Sequence, residues 1–256
     1  MSLARRVVVP VAGALLGSFL ALPVIALIAR AVTGGAELDP GIIDALTLSL
    51  LTTCASLILI VALGTPLAWL LARRRFAGRR LVEALVDLPI VLPPAVAGLG
   101  LLLLLGRRGP IGSLGLEVAF TTVAVVLAQT FVSAPFYVRA ARGAFTTVHR
   151  DYEDAARIDG GDAWAVFRRV TLPLAAPVLA GGAILAWARA LGEFGATIMF
   201  AGNVTGVTQT LPLAVYAEFQ SSLDASVAAA AILVGAAFAV LFGVRLLRID
   251  APRDAD

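Results

Sequence analysis

Hydrophobic residues in this chain fall into six long runs, and short polar stretches rich in arginine, aspartate, glycine and proline separate them. A helix needs about 20 apolar residues to cross a hydrocarbon core of about 30 Å. The pattern therefore predicts an all-α membrane protein with six transmembrane helices in a single domain over residues 1–256. The predicted spans are residues 7–29, 45–72, 88–106, 118–138, 174–202 and 225–244.

Prolines interrupt the third run. Pro89, Pro93 and Pro94 each remove a backbone donor and disfavour the helical conformation of the preceding residue. We therefore expect this helix to be broken or to begin late. Irregular backbone at membrane depth is tolerated only where it is buried in protein or faces a water-filled path.

Composition agrees with a bilayer setting. Hydrophobic residues make up 60% of the chain, charged residues only 14%, and the mean hydropathy is +0.95. An ordinary soluble domain carries about 25% charged residues. The single Cys54 excludes an internal disulfide framework, and the single His149 excludes a histidine metal cluster. We therefore expect no metal site and no cofactor.

The basic residues indicate topology. All 20 are arginines, and they lie beside the hydrophobic runs instead of on one basic face, which argues against nucleic-acid binding. With the N-terminus inside, 16 of them fall in cytoplasmic segments. Because cytoplasmic loops concentrate positive charge, we expect both termini and the stretch 150–173 to be cytoplasmic.

The polar stretch 150–173, here called the coupling loop, carries a spaced motif. We expect a short helix ending near Ile158, a stop at Gly160, and a second helix over 163–169 that Asp162 caps and Leu172-Pro173 ends. Trp164 and Phe167 would share one side of this second helix. The residues that match the pattern EAA-x3-G-x9-I-x-LP at full spacing are Asp154, Ala155, Ala156, Gly160, Val170, Leu172 and Pro173.

This motif resembles the EAA loop of ABC importer permeases. The resemblance implies that the second short helix docks on a cytoplasmic ATP-binding subunit, with Gly160 as the bend. An aromatic face on the loop is also compatible with packing against the chain's own helix ends. The leading glutamate of the motif is Asp154 here, with Glu153 one position earlier. The implied ATPase-coupling residues are Glu153, Asp154, Ala155, Ala156, Gly160, Trp164, Phe167, Leu172 and Pro173.

Two charges lie inside the fifth run. Arg189 and Glu193 are four residues apart, and an unpaired charge at the bilayer centre costs on the order of 2.5–3.5 kcal/mol. They must therefore pair or meet water. One interpretation is an ion pair that fixes helix packing or lies at the outer interface. The other is that they border a transport path or its outer gate.

Three sequence blocks narrow the resemblance. Residues 87–112, 189–199 (RALGEFGATIM) and 201–216 resemble the molybdate/tungstate permeases, while the GEFGA core is shared with sulfate permeases. A tetrahedral dianion is suited to hydroxyl, amide and backbone donors with little fixed positive charge. Such donors also cap helix ends, so a role in binding the anion and a role in capping both stay open. The candidate path residues are Arg189, Glu193, Thr197, Gln209 and Thr210, with Asn203, Thr205 and Thr208 as further donors.

The resemblance implies a permease subunit that imports molybdate or tungstate by alternating access in a prokaryotic cell membrane. Its expected partners are two ATP-binding subunits, a second, identical permease copy, an external oxyanion-binding protein and the lipid bilayer. Sulfate is the alternative cargo. The chain has no phosphate loop and no lysine to complete one, so no catalytic residue is expected. An ion-coupled secondary transporter is less compatible, because Glu193 is the only acidic residue well inside a span. A membrane enzyme acting in the coupling loop lacks a nucleophile near its carboxylates.

Overall fold

The computed structural model describes residues 3–34 and 40–249, and within these ranges the chain is helical, without a β-strand. It divides into two compact units, Met1–Ile43 with Ala214–Asp256, and Asp44–Leu213. Residues 35–39 of the predicted first polar loop, the extreme N-terminus and the tail with Arg253 lie outside the described residues.

The first unit is built on two long helices, α1 (Leu3–Thr33) and α11 (Leu223–Ile249), which pack against each other. An ion pair of 2.8 Å joins Arg30 Nη2 to Asp224 Oδ1. Both partners lie at helix ends, so the pair fixes the end of α1 to the start of α11.

The remaining helices lie in the second unit, except that α2 begins and α10 ends in the first. In chain order they are α2 (Pro40–Arg73), α3 (Arg79–Val91), α4 (Pro94–Leu105), a 3-10 turn (Gly112–Leu114), α5 (Thr122–Thr147), α6 (Arg150–Ile158), α7 (Ala163–Val166), a π turn (Phe167–Thr171), α8 (Leu172–Leu191), α9 (Gly195–Phe200) and α10 (Leu211–Ser221). Helix α10 lies within residues 203–224, between the fifth and sixth predicted spans, where the sequence pattern predicts a polar loop.

Five helices of the described chain are long and apolar enough to cross a membrane, and α3 with α4 adds a bent sixth candidate. The two helices meet at an angle of 118°. Leu92 and Pro93 are extended between them, with ψ of 133° and 131°. The expected break of the third run at its prolines is therefore confirmed.

The fifth run differs from its prediction in two ways. Helix α8 ends at Leu191, and a non-helical turn separates it from α9, so residues 174–202 are not one helix. At the other end, Leu172-Pro173 does not end the docking helix, because the chain is helical from Ala163 to Leu191. In the π turn the Leu172 N–H bonds the Phe167 carbonyl five residues earlier. This wider turn accommodates a proline ring that would clash in a regular α-helix.

Helix α5 lies at the centre of the second unit and packs against α8, α9, α3 and α4. One buried cluster joins α5 to α2 and α8 through Leu71, Phe145 and Ala186. Another joins α5 to α4 and α9 through Val125, Ala97 and Phe200. Helix α8 thus belongs to the first cluster and α9 to the second, and α5 contributes to both.

Candidate functional site

The coupling loop bends at glycine, as its sequence predicts. Gly160 has a φ of 89°, a left-handed conformation that side chains with a Cβ rarely adopt. The Gly161 N–H then donates to the Ala156 carbonyl at 2.9 Å and closes the end of α6. Asp162 caps the next helix by accepting a 2.7 Å hydrogen bond from the Ala165 N–H. The loop therefore consists of α6, a sharp glycine bend and the docking helix α7.

The two aromatic residues of this segment, one in the docking helix and one at the start of the π turn, have different surroundings. Trp164 and Phe167 stack on each other with ring centroids 5.9 Å apart. Phe167 also packs against Trp69 of α2 and Phe145 of α5, with centroids 6.2 and 6.1 Å away. Trp164 is 66% exposed. Packing against the chain's own helices therefore describes Phe167, which belongs to the core. Trp164 presents an exposed face that is available to a partner.

Glu153, one of the implied ATPase-coupling residues, points inward. It is 6% exposed. Its Oε1 accepts a 2.8 Å hydrogen bond from Arg73 Nη2 at the end of α2 and another of 2.8 Å from Thr171 Oγ1 in the π turn. Arg73 Nη2 also donates to the Val148 carbonyl at 3.0 Å. One carboxylate thus joins α2, α6 and the π turn.

The rest of the motif lies nearer the surface. Asp154 is exposed and forms an ion pair with Arg157 on the same helix. Ala155 and Pro173 are exposed, whereas Ala156 and Leu172 are half-buried, Leu172 against the α2–α5–α8 core. A cleft of about 300 Å³ lies between α2, α6 and the docking helix, and it is lined in part by Arg74, Arg150, Arg157 and Glu153.

At the far end of α8, Arg189 and Glu193 form the expected ion pair, with Nη1 and Oε2 2.7 Å apart. The side chain of Glu193 is 1% exposed and that of Arg189 is 28% exposed. Glu193 Oε1 also accepts a 2.8 Å hydrogen bond from the Ala196 N–H, the first turn of α9. Glu193 therefore joins the two helices, because it pairs with Arg189 in the last turn of α8 and caps the first turn of α9.

The other candidate path residues divide into two kinds. Thr197 and Thr210 are fully buried, and neither hydroxyl has a hydrogen-bond partner in the described part of the chain. Thr208 Oγ1 instead accepts from the Val204 N–H at 2.9 Å and shapes the turn, while Gln209 is half-buried. Thr208 thus bonds the backbone of its own turn, between α9 and α10. Thr197 and Thr210 keep unused polar groups, which is costly in an apolar interior.

The broken ends of the third and fifth runs meet through glycines. A Cβ added to Gly98 of α4 would lie 2.5 Å from the Ala196 carbonyl oxygen, and one added to Gly195 of α9 would lie 2.9 Å from Pro94 Cβ. Neither position has room for a side chain without movement of backbone. The two half-helices α4 and α9 therefore touch backbone to backbone.

The sequence pattern missed a row of buried hydroxyls on α2. Ser56 Oγ lies 3.0 Å from both the Val126 carbonyl oxygen and Gln129 Oε1, and Ser49 Oγ accepts from the Leu211 N–H at 2.7 Å. Small polar residues on one face of an apolar helix are typical of helix–helix contacts in membranes. The spacing of Ser49, Thr52, Thr53 and Ser56 was the available signal.

The two sets of candidate residues are not brought together. The coupling residues lie on α6, the docking helix and the start of α8, whereas Arg189 and Glu193 lie at its end. Helix α8 has 20 residues, which corresponds to a separation of about 30 Å. Within residues 3–34 and 40–249, no group of three or more His, Cys, Asp or Glu side chains is arranged to hold a metal ion.

Solved structures with the same architecture are importers. A bacterial ABC transporter involved in the import of the acidic polysaccharide alginate aligns over 97% of both chains with a TM-score of 0.75 and 18% identity. The MetNI methionine ABC transporter aligns over 82% of this chain and 94% of its own, with a TM-score of 0.59 and 20% identity. At these identities the likeness establishes the fold, which is the type I ABC importer permease fold.

Sequence relatives agree with this fold. The chain is 48% identical to the molybdenum transport system permease protein ModB of Mycobacterium tuberculosis, over 78% of this chain and 77% of the relative. It is 41% identical to ModB of Escherichia coli, over 77% of this chain and 89% of the relative. The family model of binding-protein-dependent transport system inner membrane components matches residues 64–249. The chain therefore belongs to that family of multi-pass membrane permeases.

Proposed function

We propose that this chain is the membrane-spanning subunit of an ATP-driven importer that carries molybdate or tungstate into the cytoplasm by alternating access. The observation that carries the proposal is the identity of 41–48% to molybdenum permeases over more than three quarters of this chain. Sulfate, a tetrahedral dianion of the same charge, is the competing cargo.

ATP is hydrolysed on a separate subunit, which docks on the coupling loop. Trp164 supplies the exposed aromatic contact, and Asp154, Ala155 and Gly160 shape the surface beside it. Phe167 and Leu172 anchor the docking helix to the core formed by α2, α5 and α8. An exposed aromatic side chain on a short helix is a typical anchor for a partner's groove.

The path for the anion passes the break between α8 and α9. Irregular backbone of this kind is tolerated at membrane depth where it faces protein or water. The buried hydroxyls of Thr197 and Thr210 and the amide of Gln209 supply neutral donors. Because Glu193 neutralises Arg189, the pair sets the path's polarity without a deep trap for a dianion.

The assembly contains two copies of this chain around one path, two ATP-binding subunits and an external oxyanion-binding protein. Arginine placement supports cytoplasmic termini and a cytoplasmic coupling loop in a prokaryotic cell membrane. ATP binding closes the two ATP-binding subunits, moves the docking helices and switches the path between its outward- and inward-facing states.

The test is uptake by vesicles that contain this chain with its ATP-binding subunit and binding protein. We expect ATP-dependent uptake of radiolabelled molybdate, strong competition by tungstate and weak competition by sulfate. Vesicles with an ATPase-deficient subunit are the control. Uptake at the wild-type rate in that control would exclude an ATP-driven mechanism. Competition by sulfate that is stronger than competition by tungstate would identify sulfate as the cargo.

Docking is tested by recovery of the ATP-binding subunit from detergent. Trp164→Ala should lower recovery, Trp164→Phe should retain most of it, and Gly160→Pro should abolish it because proline cannot adopt a positive φ. Full recovery with Trp164→Ala would remove this residue from the docking surface.

A further inference from the structure

The buried carboxylate in the coupling loop occupies a junction of three elements. Glu153 lies on α6, Arg73 at the end of α2, and Thr171 in the π turn that joins the docking helix to α8. The ion pair is nearly closed to solvent, with side-chain exposures of 10% for Arg73 and 8% for Glu153. Both residues border the cleft between α2, α6 and the docking helix, but most of their side-chain surface is covered, which leaves little of either for a contact with another subunit.

From this geometry we infer that Glu153 is a positioning residue that transmits movement of the docking helix to α2 and α8, and that it does not contact the ATP-binding subunit. The inference rests on the proposed function, since it concerns coupling to ATP. Movement applied at Trp164 reaches Glu153 through the short loop, and from there it reaches two membrane helices.

The chemistry of the junction makes it stiff. Separating a buried ion pair leaves charges without water or a partner, so α6 and the end of α2 move together. Arg73 is also held by the Val148 carbonyl at the end of α5, which prevents the guanidinium from following Glu153 alone. The hydroxyl of Thr171 adds a charge-assisted hydrogen bond to the same carboxylate oxygen that accepts from Arg73.

The hydrogen bond between Thr171 and Glu153 lies in the π turn, directly before α8. Phe167 and Thr171 bound this turn, and Leu172 begins α8 directly after it. π turns are rare in helices and are frequent at functional sites. By bonding Thr171, Glu153 holds the one irregular turn between the docking helix and the span that carries Arg189.

The neighbouring carboxylate provides the contrast. Asp154 is adjacent in sequence but exposed, and its partner Arg157 lies on the same helix. A docking role fits Asp154, whereas an internal role fits Glu153. Neutralising Asp154 should therefore weaken docking, whereas neutralising Glu153 should weaken coupling and leave docking intact.

The first experiment measures uptake and ATP hydrolysis of the complete importer in vesicles, with radiolabelled molybdate as the probe. For Glu153→Gln we expect uptake per ATP hydrolysed to fall about 5- to 150-fold, the usual span of coupling between sites. Recovery of the ATP-binding subunit should stay at the wild-type level. An unchanged ratio, or loss of recovery in parallel with uptake, would overturn the inference.

A milder pair of variants covers the case in which Glu153→Gln does not fold. Thr171→Val removes only the hydroxyl that bonds Glu153, and Thr171→Ser keeps it. We expect a several-fold loss of coupling with valine and wild-type coupling with serine. Equal coupling in the two variants would contradict a role for this hydrogen bond.

A second readout does not depend on the cargo. A spin label on the native Cys54 of α2 and another on Ile158→Cys of α6, in one copy per complex, report the distance between the two helices. We expect one narrow distribution with and without ATP in the wild type and a broad one in Glu153→Gln. A narrow distribution in the variant would overturn the inference. If wild-type vesicles import no molybdate, the proposed cargo fails while this distance still decides the role of Glu153.

Discussion

The coupling loop and the α8–α9 break each contain a buried glutamate paired with arginine, and the two pairs hold the molecule in different ways. Glu153 and Arg73 are 80 residues apart in sequence. Glu193 and Arg189 are one helical turn apart. A long-range pair fastens separate helices to each other, whereas a local pair shapes the end of one helix and the start of the next.

Solvent access adds to this difference. Arg73 is nearly closed off, but Arg189 keeps 28% of its side-chain surface exposed. If Glu193 is lost, water can hydrate Arg189; if Arg73 is lost, Glu153 stays buried. Loss of Arg73 should therefore cost more than loss of Glu193.

The largest effect is expected for Arg73→Ala. It leaves the Glu153 carboxylate buried without a cation, and we expect the free energy of unfolding to fall by about 3–5 kcal/mol. Denaturant titration in detergent measures the change. The double variant Arg73→Met with Glu153→Leu should recover most of it, because apolar replacement of a buried pair is often neutral. A loss of about 1 kcal/mol or less, as for an exposed pair, would contradict the contrast.

Gly98→Ala tests the backbone contact that supports the break. The new Cβ would lie 2.5 Å from the Ala196 carbonyl oxygen, so we expect a loss of about 1–3 kcal/mol from overpacking. Gly100→Ala on the same helix is the matched control, since nothing lies within 4 Å of its Cβ position. Equal unfolding free energies for the two variants would show that α4 and α9 separate easily.

Glu193→Gln tests how much the charge of the Arg189–Glu193 pair contributes at the α8–α9 break. Glutamine keeps an oxygen that can accept from the Ala196 N–H but loses the charge that pairs with Arg189. We expect a loss of roughly 1–2 kcal/mol, near the lower end for a hydrogen bond to a charged group. Glu193→Ala, which also removes the cap, should cost more in the same titration. If Glu193→Gln cost as much as Arg73→Ala, solvent access would not explain the difference.

The smallest effect is expected for Asp154→Asn. Its exposed pair with Arg157 should contribute no more than about 0.5 kcal/mol to the free energy of unfolding. Glu153→Gln, one residue earlier, should cost several times as much. Similar losses for the two neighbours would mean that burial does not separate them.

Hydrophobic pattern and turn chemistry predicted much of the local structure. The proline-broken third run, the left-handed Gly160, the Asp162 cap and the Arg189–Glu193 pair all depend on residues close together in the chain. Local interactions of this kind follow from spacing alone. The continuous helix across Leu172-Pro173 was not predicted, because a π turn leaves no mark in hydrophobic periodicity.

The inward orientation of Glu153 could not be predicted either. Its partner Arg73 is one of five arginines between the second and third hydrophobic runs. The charge count assigns all five to the cytoplasmic side and does not distinguish one from another. Which arginine is buried depends on how the ends of α2, α5 and α6 converge, and sequence spacing carries no information about that. The same limit applies to Ser49 and Ser56, whose partners lie on other segments of the chain.

The π turn explains why the spacing between Gly160 and Pro173 is part of the coupling motif. Deleting one residue within Phe167–Thr171 would restore a regular α-helix and rotate everything before it by about 100° relative to α8. Trp164 and Phe167 would then turn together, and Phe167 would leave its contacts with Trp69 and Phe145. An insertion or deletion of a single residue in this segment should therefore turn the docking helix away from its partner, even where every side chain of the docking surface is kept.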